Sequence, residues 1–174
     1  LVREDGAGRV LEATGVQLPG ALDDLYVAAE AERALGATAG VGKTGFRLWA
    51  PTARTVSLCL HANGDGRAIS RQDMQRDDNT GIWSATLKED LSGHYYTYLV
   101  EVFVPGVGMV RDRVTDPYSV SLTADSLRTY IADLDAPALK PAGWDETLFP
   151  TKVAAQTDMS IYELHVRDFS IGDA

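Results

Sequence analysis

Three sets of side chains in this sequence could carry chemistry. The first is acidic: Asp23-Asp24 and Asp77-Asp78 are adjacent pairs, and Glu163 and Asp168 lie close together near the end. Two carboxylates can divide proton transfer between them, one protonating a leaving oxygen while the other attacks or activates a nucleophile. Neighbours on an extended chain point to opposite faces, so Asp77 and Asp78 cannot both address one bond from a strand. Solvated or capping carboxylates are the favoured reading for all of these. Asp24 and Asp116 fit side-chain to backbone hydrogen bonds that fix turns. No catalytic residue is assigned.

The second set is Cys59 and His61, two positions apart and so on one strand face. Two such residues make no metal site, and no metal or cofactor is expected. A single cysteine also excludes an internal disulfide framework, and Cys59 reads as a structural thiol. The third set is aromatic: Trp49, Trp83, Tyr95, Tyr96 and Tyr98. An exposed ring can stack on the apolar face of a sugar while its surroundings hydrogen-bond the hydroxyls. Trp83 shares a face with Ala85 and Leu87, and Tyr96 and Tyr98 share theirs with two valines, which favours core packing. Trp49 and Tyr95 lie opposite the clearest apolar partners, either exposed or sealing a joint to another domain. The candidate carbohydrate-binding residues are therefore Trp49, Trp83 and Tyr95.

Positioning those side chains requires strands. Around the Pro51 turn, Phe46 and Leu48 alternate with Arg47 and Trp49; then Val56, Leu58 and Leu60 alternate with Thr55, Ser57, Cys59 and His61. Further strands follow at 68–76 (a polar edge strand anchored by Ile69 and Met74), 82–87, 94–104, 109–114 and 128–134. Turn residues separate them, including Asn63-Gly64-Asp65-Gly66 and the 77–81 stretch. About seven short strands at this spacing predict an immunoglobulin-like (E-set) antiparallel β-sandwich, because a single open sheet would leave its apolar face wet. The class is all-β.

The ends read differently. Residues 1–35 form an extended linker followed by a helix over 21–35 that Gly36 could end; residues 36–135 hold the sandwich. Prolines and isolated apolar residues make 136–158 a tethered linker, and 159–174 begins with a strand over 159–169. A lone strand with Glu163, His165 and Arg167 on one face makes little sense after a finished sandwich. It fits the start of a further domain. Leu1 is not an initiator residue, which suggests an internal piece of a longer chain.

Composition narrows the partners. The 174 residues are 45% hydrophobic, normal for a globular protein. The formal charge of −9 argues against nucleic acid and against anionic lipid. No apolar run approaches the roughly 20 residues that span a bilayer. No leader is readable, so the compartment is not assigned. A neutral sugar polymer is compatible with this charge.

Ile161-Tyr-Glu-Leu-His-Val-Arg-Asp-Phe-Ser170 closely resembles the first barrel strand of pullulanases and limit dextrinases in the α-amylase superfamily, glycoside hydrolase family 13. The upstream pieces agree in order: Gly15-Val-Gln-Leu-Pro-Gly-Ala-Leu-Asp-Asp-Leu-Tyr26, Leu35-Gly-Ala37, Phe46-Arg-Leu-Trp-Ala-Pro-Thr-Ala53, Val114-Thr-Asp-Pro-Tyr118 and Leu139-Lys-Pro-Ala-Gly-Trp-Asp145. The sandwich between them is similar to the starch-binding-like module of carbohydrate-binding family 48. The resemblance runs from about residue 10 to the end.

It implies a debranching enzyme for α-1,6-glucosidic links in pullulan, starch or glycogen, with 159–174 as the first strand of a truncated (β/α)8 barrel. In that family an Asp nucleophile, a Glu acid/base and a second Asp lie on later barrel strands, outside this sequence. The chain alone is expected to be inactive, its partners being α-glucan, weakly or indirectly, and the catalytic barrel of the same polypeptide. A secreted or periplasmic location would fit the resemblance. Glycogen-binding members use two Trp and a Lys on the Tyr-rich strand; here Thr97 stands between Tyr96 and Tyr98, and the turn at 104–109 has no Trp. A structural module is therefore favoured over two alternatives, an autonomous glucan-binding module and a generic immunoglobulin-like interaction domain.

Overall fold

The computed structural model describes residues 2–13, 15–146 and 153–172. Its strands in chain order are β1 (Val2–Glu4), β2 (Val10–Ala13), β3 (Gly36–Gly40), β4 (Lys43–Trp49), β5 (Ala53–His61), β6 (Ser70–Asp73), β7 (Gln75–Arg76), β8 (Ile82–Leu87), β9 (Tyr95–Val104), β10 (Gly108–Val114) and β11 (Thr129–Tyr130). The helices are α1 (Pro19–Leu25) and α2 (Val166–Ser170), with short 3-10 turns elsewhere. The chain divides into two compact units, Leu1–Leu139 and Lys140–Ala174.

Within the first unit, every pairing is antiparallel. A four-stranded sheet runs β3-β4-β8-β7, and a five-stranded sheet runs β10-β9-β5-β6 with β11 also on β9. Period-2 alternation decides which side of each strand is buried. Phe46 and Leu48 of β4, with Trp83 and Ala85 of β8, face Val56, Leu58 and Leu60 of β5 and Tyr96 and Tyr98 of β9 in one core. The Phe46 and Tyr96 rings meet edge-to-face across the two sheets, with centroids 5.0 Å apart. The result is a β-sandwich, as the alternation anticipates.

Met74 is the corner. It separates β6, in one sheet, from β7, in the other, and drops its side chain into the core while its N–H donates to the Val56 carbonyl at 2.9 Å. The strand expected over 68–76 is thus two strands with a buried hinge. Its first half is an exposed edge, as its polarity implies, but Ile69 is exposed and anchors nothing.

Other expectations need correction. The supposed linker at the start contains a β1–β2 hairpin. The helix over 21–35 is the shorter α1 followed by a 3-10 segment, Val27–Ala31, because nothing covers Leu25 or Val27 and isolated helix this short is unstable. Gly36 does not end a helix: it opens β3 with φ 91, where a Cβ would lie 3.1 Å from Tyr118 Cβ. The last strand shrinks to Thr129 and Tyr130. Ile131 is buried beyond it, and Leu134 is exposed.

In the second unit, no ladder forms over 159–169. Residues 159–165 are outside any helix or strand, and Val166–Ser170 forms α2, whose Asp168 N–H faces His165 Nδ1 at 3.4 Å. A strand needs a neighbour to take its backbone donors and acceptors, and none of the described strands pairs here. Ile161, Tyr162 and Phe169 are exposed. Part of the 136–158 linker, residues 147–152, lies outside the described residues. No helix among those described is long and apolar enough to cross a membrane.

Candidate functional site

The outer face of the five-stranded sheet holds the polar side of β5 and β9. Register pairs Cys59 with Thr97 and His61 with Tyr95. Alternation sends these side chains away from the core, yet Cys59, His61 and Thr97 are all buried. Arg128 acts electrostatically on His61 and is tied to the turn at 63–66. Arg128 Nη1 donates to the Asn63 carbonyl at 2.7 Å and to the Asp65 carbonyl, and Nη2 donates to the Gly66 carbonyl at 2.5 Å. One guanidinium therefore holds a four-residue turn through its backbone, without touching a carboxylate. Reciprocal bonds hold the segment that delivers it. Arg128 N–H donates to Thr123 Oγ1, and Thr123 N–H donates to the Arg128 carbonyl, each at 3.0 Å.

His61 Nε2 lies 3.3 Å from Thr97 Oγ1, while Nδ1 is buried and makes no hydrogen bond among the described residues. Burial, reinforced by the positive charges of Arg128 and Arg113, pushes the His61 pKa below its ordinary value. Burial likewise pushes the Cys59 thiol up, against smaller opposing effects from Arg71 and Arg113, so it is no activated nucleophile.

A cleft of about 550 Å³ opens between the 64–66 turn, Arg113 and Val114 at the end of β10, the following Thr115, and Ser126, Leu127 and Arg128. Asp125 (φ 56) and Ser126 (φ 54) hold left-handed backbone at its rim, a conformation that is strained for side-chain-bearing residues. Arg128 lacked any signal in the sequence, since its partners lie 62 to 65 positions away.

The three candidate sugar platforms are not brought together. Trp83 is buried at 7% exposure, and its indole N–H donates to the Ala50 carbonyl at 3.0 Å; it is core, and it cannot offer a face to a sugar. Trp49 is half-buried on the same sheet, its indole N–H donating to the Thr80 carbonyl at 3.0 Å. Only Tyr95 stands by the turn at 63–66. It is half-buried beside Gly64 and packs on Tyr130 at 5.1 Å between centroids. Thr97, between Tyr96 and Tyr98, brings its hydroxyl to His61.

Asp77 and Asp116 fix turns, whereas Asp24, expected to do the same, lies within helix α1. Asp77 Oδ1 accepts from the N–H groups of Asn79 and Thr80 at 2.9 Å each, and those bonds hold its pKa below the ordinary value. A general acid needs the opposite shift. Asp116 Oδ1 accepts from Tyr118 N–H at 2.8 Å, as its place before Pro117 suggests. No cluster of three or more metal-ligating groups occurs among the described residues.

Residues 34–119 match the family described as carbohydrate-binding module 48 (isoamylase N-terminal domain). The chain is 38% identical over 174 residues to a pullulanase of Klebsiella pneumoniae, covering 98% of this chain and 16% of that protein. It is 38% identical over 172 residues to the chloroplastic pullulanase 1 of Arabidopsis thaliana, covering 97% and 17%. The solved structure of the K. pneumoniae pullulanase complexed with maltotriose superposes with a TM-score of 0.70 at 38% identity, over 83% of this chain and 14% of that one. The chain thus spans about one sixth of the length of the curated relatives it matches.

Proposed function

We propose that this chain, whose residues 34–119 match the carbohydrate-binding module 48 (isoamylase N-terminal domain) family, is the non-catalytic portion of a pullulanase-type enzyme that hydrolyses α-1,6-glucosidic branch links. The observation that carries this reading is that likeness to pullulanases does not stop at the module. It covers 98% of the chain at 38% identity, including the stretch after the sandwich. A free-standing binding module would have no reason to keep that stretch.

In this reading the sandwich is immunoglobulin-like, and its role is to pack against a catalytic barrel. Residues 159–169 take up their strand only when the other barrel strands are present to pair with them. Backbone groups that find no ladder here would be satisfied there. α-Glucan is the substrate of the whole enzyme. Support for it comes from the family description and from the relative that was solved with maltotriose.

The geometry also bears on direct binding. Trp83 is consumed by the core, Trp49 is half-covered, and the cleft has no aromatic ring in its wall. Affinity of the isolated module for neutral glucan is accordingly weak. The test is a polypeptide extended through the barrel, compared with and without residues 34–119. Loss of solubility or thermal stability along with pullulan hydrolysis supports a packing role. Retained stability with a raised KM for polymer alone would instead favour an autonomous glucan-binding module.

A further inference from the structure

The net charge is −9, yet two arginines, Arg113 and Arg128, line one cleft. Arg113 projects from the edge strand β10 into the cleft wall and forms no ion pair with the described residues. Arg128 is only 7% exposed, yet its partners are neutral carbonyl oxygens. Those carbonyls orient the guanidinium without cancelling its charge. A buried cation that lacks a counter-anion is unfavourable, and it becomes favourable when an anion arrives. Asp65 is the carboxylate in the cleft wall; its side chain is exposed, while its backbone carbonyl faces Arg128.

Neutral sugars depend on stacking, and this wall has no ring. An oxyanion would instead gain charge-assisted bonds from guanidinium, stronger than those between neutral groups. Thr115 and Ser126 add hydroxyls beside Arg113, and the left-handed backbone of Asp125 and Ser126 is strain of the kind that concentrates at binding sites. The His61 pKa is lowered chiefly by burial, and the charges of Arg128 and Arg113 act on it in the same direction.

We propose that this cleft binds an oxyanion carried on a sugar, namely a phosphorylated glucose unit, in preference to neutral glucan. The proposal rests on the reading of the module as one that meets α-glucan, and it adds the charge of the unit selected.

The test is titration of the ¹⁵N-labelled 174-residue chain with glucose 6-phosphate, inorganic phosphate and maltotriose. The expected result is saturable shifts at the amides of Gly64, Asp65 and Gly66 with glucose 6-phosphate, weaker binding of inorganic phosphate, and no shift there with maltotriose. Arg113→Ala should weaken glucose 6-phosphate by about tenfold or more, the scale of one charged hydrogen bond, with the urea midpoint unchanged. Added salt should weaken binding in the same direction. Inorganic phosphate binding as tightly as glucose 6-phosphate would show an anion site blind to sugar and overturn the proposal. Maltotriose binding at these amides as tightly as glucose 6-phosphate would also overturn it while leaving the glucan reading in place. No binding of any of the three overturns it too; the glucan reading then stands or falls on the extended polypeptide.

Discussion

Tyr96 and Asp116, 20 residues apart, share a buried hydrogen bond of 2.6 Å from the phenol to carboxylate Oδ2. Tyr98 donates to the same oxygen at 3.1 Å. The carboxylate thereby ties the central strand β9 to the turn that follows β10, and Ser119 and Thr129 extend the network through the Asp116 backbone. Both phenols are pushed above the ordinary tyrosine pKa, first by burial and then by neighbouring groups that include Asp116. Asp116→Ala should remove about 2–4 kcal/mol of stability, because it strands two buried hydroxyls and a backbone donor. Tyr98→Phe, which deletes only the longer bond, should remove about 1 kcal/mol. Urea denaturation of the three proteins checks the order; equal midpoints would refute it.

His61 makes stability depend on pH. In the unfolded chain it takes a proton near about pH 6.5. In the fold, burial and then Arg128 and Arg113 hold its pKa lower. The unfolded state therefore binds more protons as pH falls, so this contribution is intact above that value and is lost progressively below it. Urea midpoints above and below about pH 6.5 should show a larger acid loss for the wild type than for His61→Asn. An identical loss in both would contradict the account.

Gly81 closes the turn before β8 with φ 69, and a Cβ there would lie 2.8 Å from Pro51 Cβ and 3.2 Å from the Tyr26 ring. Left-handed backbone and a rigid proline neighbour leave no room to adjust. Gly81→Ala should cost at least about 1–2 kcal/mol, read as a fall in thermal midpoint. Gly42→Ala, equally left-handed at φ 74 but in open space, should cost less.

Trp83 and Tyr95 separate core from surface. Trp83→Ala should destabilise by about 3–5 kcal/mol, whereas Tyr95→Ala, at a half-buried position, should cost distinctly less. A reversed order in chemical denaturation would place the core elsewhere.

These contrasts show what the sequence made legible. Val56, Leu58 and Leu60 alternate with polar neighbours, so their strand and its buried face follow from period alone. Strand β3, Gly36-Ala-Thr-Ala-Gly40, carries small residues with no apolar period, and only its pairing with β4 reveals it. The 159–169 stretch has a strand's alternation but no partner, and without a ladder the local preference for α2 prevails. Asp116 was readable as a turn acceptor because its backbone partner is two positions on; its tyrosine partners are not local. Arg128 falls in the same class. A long side chain that reaches carbonyls some sixty positions away leaves no periodic trace.

The most direct measurement of the central claim is the release of reducing ends from pullulan by the purified 174-residue chain, set beside a polypeptide continuing through the barrel. The account expects no release above blank from the first and sustained release from the second. Hydrolysis by the 174-residue chain alone would contradict it.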